Sequence, residues 1–196
     1  VSDGNLYVTI CLPMHRIPVM ITLLPLQVAV VVAQRVAKFL EACTVGVTVK
    51  EDNNVRVKWL NDVLIRDRKV SGTLIENEIV NGTTWLLIGV GLNVNAAPNI
   101  ASKRLACAWS DVCTLPIPPQ TAYAIGQDLA IALSDWAYSD GENNANEILL
   151  RKWRSFAEFG KEYELRGNVV DEQGYQGERV IVVDIENDGQ LRVRDQ

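Results

Sequence analysis

Thr84-Trp85-Leu86-Leu87-Ile88-Gly89-Val90-Gly91-Leu92-Asn93 is a near-continuous apolar run of strand length with two glycines toward its end. Such a run predicts a strand covered on both faces. The glycine pair raises the idea of a dinucleotide fingerprint, but that motif needs a third glycine at position 94 and a helix after it. Val94 instead continues the extended run. No G-x-x-x-x-G-K-[ST] stretch occurs either, so a phosphate-loop fold is excluded as the main reading. What Gly89 and Gly91 offer is close approach of a ligand to the strand backbone, with Val90 and Leu92 filling in beneath.

Upstream of this strand the chain reads as further sheet. Val63-Leu64-Ile65, a turn at Arg66-Asp67-Arg68, and Lys69 through Glu76 predict a hairpin. Val55-Arg56-Val57-Lys58-Trp59 alternates, with 55, 57 and 59 on one face and 56 and 58 on the other. Val45 to Lys50 is a further strand candidate, and Leu6 to Leu12 reads as a buried strand entered from an Asp3-Gly4-Asn5 turn and stopped by Pro13. Between them, Leu26 to Ala42 carries apolar residues at helical spacing, with Pro25 where a first-turn proline is tolerated. The stretch from Ile17 to Ala33 holds two prolines and is followed by Gln34 and Arg35, so it is not read as a membrane span.

Downstream, residues 121–138 place Ala122, Ile125, Leu129, Leu133 and Trp136 on one helical face, and a second helix covers roughly 144–156. After Phe159-Gly160 the pattern changes to short strands, Glu162 to Leu165, Arg179 to Ile185 and Leu191 to Arg194. This shift divides the chain into a domain at 1–158 and a small β module at 159–196.

The whole chain has 196 residues, enough for one large core or for a core with a small appendage. Its 19 Lys+Arg against 24 Asp+Glu give a net charge of −5, which removes the simplest argument for a nucleic-acid partner. Cys11, Cys43, Cys107 and Cys113 form no C-x-x-C pair and are read as reduced, mostly buried thiols. With His15 the single histidine, neither a zinc site nor a Ser-His-Asp or Cys-His centre has its parts.

Three segments remain that can carry chemistry: Lys58-Trp59-Leu60-Asn61-Asp62, Arg68-Lys69-Val70-Ser71-Gly72, and Gly89-Val90-Gly91-Leu92-Asn93. Taken singly, Lys58 is a solvated strand lysine, Asn61-Asp62 a turn, and Gly72 a close-packed strand position. Taken in order, Lys-Trp-x-Asn-Asp, Lys-x-x-Gly-x-Leu-Ile-Glu and Ile-Gly-x-Gly-x-Asn-Val-Asn resemble the catalytic domain of the biotin protein ligases. Gly4-Asn5-Leu6-Tyr7 and the Trp153 segment with its β module fall in the order that family shows.

The resemblance implies an α+β fold. A mixed sheet with helices on one face, similar to class II aminoacyl-tRNA synthetases and lipoate ligases, would precede a small SH3-like β barrel. It implies a cytoplasmic ligase that uses ATP and Mg²⁺ to convert biotin to biotinyl-5'-AMP, then transfers the biotinyl group to a lysine of a biotin carboxyl carrier domain. A homodimer is compatible with it, and neither nucleic acid nor membrane is called for. Lys69 matches the lysine that contacts the biotin carboxylate and the α-phosphate. Lys58 would add a second cation, and Asn61 and Asp62 would orient the phosphate, the Mg²⁺ ion or the incoming amine. Gly72 and Gly89 match backbone contacts to biotin, Val90 and Gly91 belong to the same strand, and Leu92 and Asn93 match positions near adenine and ribose.

The chain departs from the family in three places. Leu60 stands where the family has proline, so packing must fix the turn that carries Asn61. The Gly/Arg-rich loop expected ahead of Asp3-Gly4-Asn5 is not in this sequence, and the β module stops at Gln196 before its usual last strand. The expectation is a longer protein whose ends lie outside this sequence. Its rivals are a lipoate or octanoate ligase or transferase on the same architecture, and a non-catalytic protein-binding module.

Overall fold

The computed structural model describes residues 4–43, 55–98, 105–139, 144–164 and 179–195. The strand expected at Val45–Lys50 lies outside the described residues. Five strands form one sheet: β1 (Leu6–Pro13), β2 (Val55–Lys58), β3 (Asp62–Ile65), β4 (Arg68–Val80) and β5 (Thr83–Leu92), in the spatial order β1-β5-β4-β3-β2. The mixed sheet expected from the sequence is realised narrowly. Every described strand pair is antiparallel, and the parallel element is an isolated bridge between Lys69 and Ala106.

Helices α1 (Leu24–Cys43), α2 (Thr121–Tyr138) and α3 (Ala145–Phe156) cover one face of this sheet. In α1 the residues from Leu26 to Ala33 are all buried, as for a helix enclosed on every side. The stretch Ile21–Cys43 is long and apolar enough to cross a bilayer on length and composition, yet 67% of the tested window is buried inside the protein. It is a core helix here, packed against α2, α3 and the strands β2 to β4. In α2, Ile125, Leu129, Leu133 and Ala137 recur at i, i+4, i+8 and i+12 and turn inward, and Arg35 of α1 pairs with Asp128 at 2.5 Å. Leu149, Leu150 and Trp153 close the core from α3.

Two strands differ from their sequence reading in the same way. In β1 Leu6, Ile10 and Leu12 are buried, while Tyr7, Thr9 and Cys11 are not. In β5 Leu86, Ile88, Val90 and Leu92 are buried, and Trp85, Leu87, Gly89 and Gly91 are only partly so. Among the described residues neither is covered on both faces: the helices pack on one side, and an open groove lies on the other. The thiol expectation shifts with it: all four cysteines are free, but Cys11 lies exposed on the open face and Cys107 alone is buried.

A second, antiparallel sheet holds β6 (Glu162–Glu164), β7 (Arg179–Ile185) and β8 (Leu191–Asp195), in that order. It supplies the small β module expected at the C-terminal end.

Candidate active site

The open face of the sheet gains its shape from register. Tyr7 pairs with Gly91 and Gly91 with Gly72, and in the next row Thr9 pairs with Gly89 and Gly89 with Leu74. A methyl group at Gly89 would meet nothing closer than the Leu74 carbonyl oxygen at 3.5 Å, and at Gly91 nothing closer than the Tyr7 ring at 3.8 Å. Sheet packing therefore does not require glycine at either place. Their missing side chains open a floor between the flanking residues.

A β-bulge decides where Lys69 points. In a regular strand Lys69 and Gly72 would face opposite sides, since alternation has period two. The β3–β4 register shifts between Val63 and Leu64, so that Val63 opposes Ser71 while Leu64 opposes Lys69. The extra residue brings Lys69 onto the side of Gly72, the way bulges re-aim side chains beside functional sites. A methyl group at Gly72 would lie 2.8 Å from Lys69 Nζ and 2.9 Å from its Cε. Backbone bonds fix the base of this lysine: its N–H donates to the Leu105 carbonyl, and Cys107 N–H donates to its carbonyl, both at 3.0 Å. The Cys107 Sγ–H donates to the Arg68 carbonyl at 3.4 Å, and burial pushes that thiol up, which keeps it a neutral donor.

Asp62 meets Lys69 in an ion pair whose carboxylate side chain is 18% exposed and whose lysine is 38% exposed. Asn61 Nδ2 donates to the Thr73 carbonyl at 2.6 Å, so the turn pins itself to β4. The Trp59–Leu60 peptide is cis. Packing does fix this turn, as the leucine at position 60 requires: Leu60 packs on the core and Trp59 Nε1 donates to the Gly189 carbonyl at 3.0 Å.

Two adjoining cavities of about 430 Å³ each share Tyr7, Lys69, Gly72 and Gly91. The first runs over the sheet floor past Thr9, Leu74 and Gly89, and the second is walled by Ser71, Asn93, Pro98 and Leu105. Of the residues singled out in the sequence, Lys69, Gly72, Gly89, Val90, Gly91 and Asn93 line one or both. Asn93 Nδ2 donates to the Cys107 carbonyl at 3.1 Å. Val90 is on the buried side of β5, and Leu92 is 1% exposed and lines neither cavity. Lys58, Asn61 and Asp62 line neither cavity, although Asp62 reaches them through Lys69. Lys58 Nζ rests 5.3 Å from the centroid of the Tyr163 ring, whose phenol burial pushes up and so keeps neutral.

Sequence reasoning gave no site role to Tyr7, Ser71, Leu105 or Ala106, although Tyr7 and Ser71 lie inside strings it quoted. Tyr7 carried a signal, since alternation along β1 opposes it to the inward-facing Leu6; nothing in the spacing brings 105–107 to Lys69. For a metal, no group of three His, Cys, Asp or Glu side chains is assembled among the described residues. Asp62, one carboxylate beside a cation, suits a Mg²⁺ ion carried mainly on substrate phosphates.

Residues 1–93 match the Biotin/lipoate A/B protein ligase family, a segment that holds the first two motifs and the third through Asn93. The resemblance read from those motifs is borne out. The chain is 26% identical over 145 residues to the human biotin–protein ligase; that stretch is 73% of this chain and 19% of the relative's length. Among solved structures, biotin protein ligase from Aquifex aeolicus is similar with a TM-score of 0.68 at 19% identity, covering 98% of this chain and 76% of that one. The same enzyme in complex with biotin and ATP gives 0.64 at 21% identity, with 98% and 79% covered. At these identities the structural likeness is one of fold.

Proposed function

We propose that this chain, whose residues 1–93 match the biotin/lipoate A/B protein ligases, is the ligase core of a biotin protein ligase. On this reading it activates biotin with ATP to biotinyl-5'-AMP and passes the biotinyl group to a lysine of a biotin carboxyl carrier domain. The observation that carries the reading is the place of Lys69, at the junction of two cavities that share it. An acyl adenylate is a ligand in two parts, joined where a carboxylate meets a phosphate. One cation at the joint, with a lobe on each side, fits that shape.

In the first half-reaction a biotin carboxylate oxygen attacks the α-phosphorus of ATP, and the bond from that phosphorus to the pyrophosphate oxygen breaks. Lys69 offsets the negative charge that gathers on the carboxylate and phosphoryl oxygens, while Asp62 holds the ammonium over Gly72. Asn61 fixes the turn from which Asp62 projects. Lys58, opposite Asp62 across β2 and β3, adds positive charge on that flank. Gly72, Gly89, Val90 and Gly91 give biotin a backbone floor, and Leu92 and Asn93 support the nucleotide side. Mg²⁺, when bound, would neutralise the phosphates, and Asp62 is the carboxylate that would hold it. In the second half-reaction the carrier lysine amine attacks the acyl carbon, an amide forms and AMP leaves. The compartment this reading takes is the cytoplasm, and four thiols outside any disulfide are compatible with its reducing conditions.

The test is ATP–pyrophosphate exchange in the full chain with biotin, lipoate or octanoate supplied separately. Biotin-dependent exchange that Lys69→Ala removes is expected. Exchange with lipoate or octanoate alone would move the reading to that rival, and no exchange or biotin binding would leave the non-catalytic module.

A further inference from the structure

Trp59 stands beside the site without lining it, and the residue is 44% exposed. Packing alone gives little reason for a tryptophan there. Its Nε1–H, however, donates to the carbonyl of Gly189, 130 residues away in the turn between β7 and β8. That acceptor is firmly held. Gly189 adopts φ +91°, its N–H donates to the Glu186 carbonyl at 3.0 Å, and Glu186 N–H donates to the Gln190 carbonyl at 2.8 Å. A methyl group on Gly189 would fall 2.9 Å from Leu23 Cδ2 and 3.4 Å from Leu26 Cδ1, so the turn sits tightly on the start of α1. Tyr163 of β6 takes the neighbouring Lys58 ammonium on its ring face. The small sheet therefore grips the Lys58–Asp62 turn at two successive residues.

We propose that Trp59 is a positioning residue of the ligase reaction: through the Gly189 carbonyl, the small sheet sets the Asn61–Asp62 turn so that the Asp62 carboxylate meets Lys69. The proposal rests on the adenylate-forming reading for its kinetic consequences. Asn61 secures the inner side of the turn to Thr73, and Trp59 secures the outer side. With the outer anchor gone, Asp62 samples positions from which Lys69 is no longer aimed. The sheet floor that receives biotin belongs to β1, β4 and β5 and is not disturbed.

The test uses the full chain with Trp59→Phe, which removes the N–H donor and keeps an aromatic ring at an exposed site. The expected result is a fall of about tenfold in kcat for adenylate formation with KM for biotin unchanged, the mark of lost alignment. The double variant Trp59→Phe with Asp62→Asn should be no slower than Asp62→Asn alone, because both act through one carboxylate. An unchanged kcat, or losses that multiply in the double variant, would overturn the proposal. Amide hydrogen exchange at residues 61–63 gives a readout independent of chemistry, and it should quicken in Trp59→Phe. If the parent protein forms no adenylate, the functional reading fails by itself. Unaltered exchange at 61–63 would then overturn the positioning role separately.

Discussion

Gly72 tests the placement of Lys69 more sharply than removal of the lysine does. A methyl group there would crowd Nζ and Cε, the far end of a flexible side chain. The fold can absorb it by swinging the ammonium away. Gly72→Ala should therefore leave the melting temperature nearly unchanged while biotin-dependent exchange falls toward the level of Lys69→Ala. For the latter, a loss of roughly 2–4 kcal/mol in transition-state stabilisation is the scale for one aimed charge. A Gly72→Ala protein with full exchange would mean that the ammonium works elsewhere. At this scale Lys69, Asp62 and Gly72 were legible in the sequence because three short strings occur in order, although taken singly Asp62 reads as part of a turn and Gly72 as a close-packed strand position. Their convergence was not legible. Period-two alternation sets Lys69 and Gly72 on opposite faces, and only the bulge reverses that. Lys58 shows the opposite limit: alternation gave its face, but not the Tyr163 ring that receives its ammonium from a distant strand.

Among the elements, α2 spans 121–138 and β7 spans 179–185, the same bounds as their sequence readings, because amphipathic period and turn residues are local signals. β1 and β5 were located but misjudged in their surroundings. An apolar run reads as doubly covered, whereas here the glycines leave one side of β5 as the floor of a cavity and β1 carries Tyr7 at its rim. Asn5 was read as part of a turn and of the opening Gly4-Asn5-Leu6-Tyr7 string, with no contact assigned to it. It is a clamp: its Oδ1 accepts from the N–H groups of Val94, Asn95 and Ala96 at 3.1, 3.0 and 3.1 Å, and its Nδ2 donates to the Ala96 carbonyl at 2.8 Å. That clamp ties the start of β1 to the exit of β5, where Asn93 and Pro98 wall the second cavity. Asn5→Ala should cost about 1–3 kcal/mol of stability, since partly buried donors lose their acceptor. It should also raise KM for ATP more than KM for biotin. Equal changes in both would show that the loop serves the fold and not the nucleotide lobe.

For the molecule as a whole, the question is how the small sheet stays seated on the helices beneath it, since the Trp59 contact depends on that seating. Asp184 is the joint. Its Oδ1 accepts from Arg154 Nε of α3 at 2.8 Å and from the Ile185 N–H at 2.8 Å, and its Oδ2 accepts from Arg192 Nη2 of β8 at 2.8 Å. Arg154 also donates through Nη2 to the Ile185 carbonyl at 2.8 Å. The Arg154 hydrogen bond, with help from the Ile185 N–H and the Arg192 charge, holds the Asp184 carboxyl below the usual aspartate range. A carboxyl whose folded value is depressed contributes stability at every pH above its unfolded value, about 3.9. That contribution is lost as pH falls through the lower, folded value. The side chains are partly open to solvent, 27% for Asp184 and 38% for Arg154, so screening keeps the effect small. Asp184→Asn should accordingly lower stability by about 1 kcal/mol at pH 7 and by a similar amount at pH 5. The gap should close only as the solution is acidified below about pH 4, where the parent carboxyl also becomes neutral. Urea unfolding of parent and variant across this range reads the difference directly. A gap that stayed constant down to the acid limit would assign the joint to shape and hydrogen bonding, with no share from the charge.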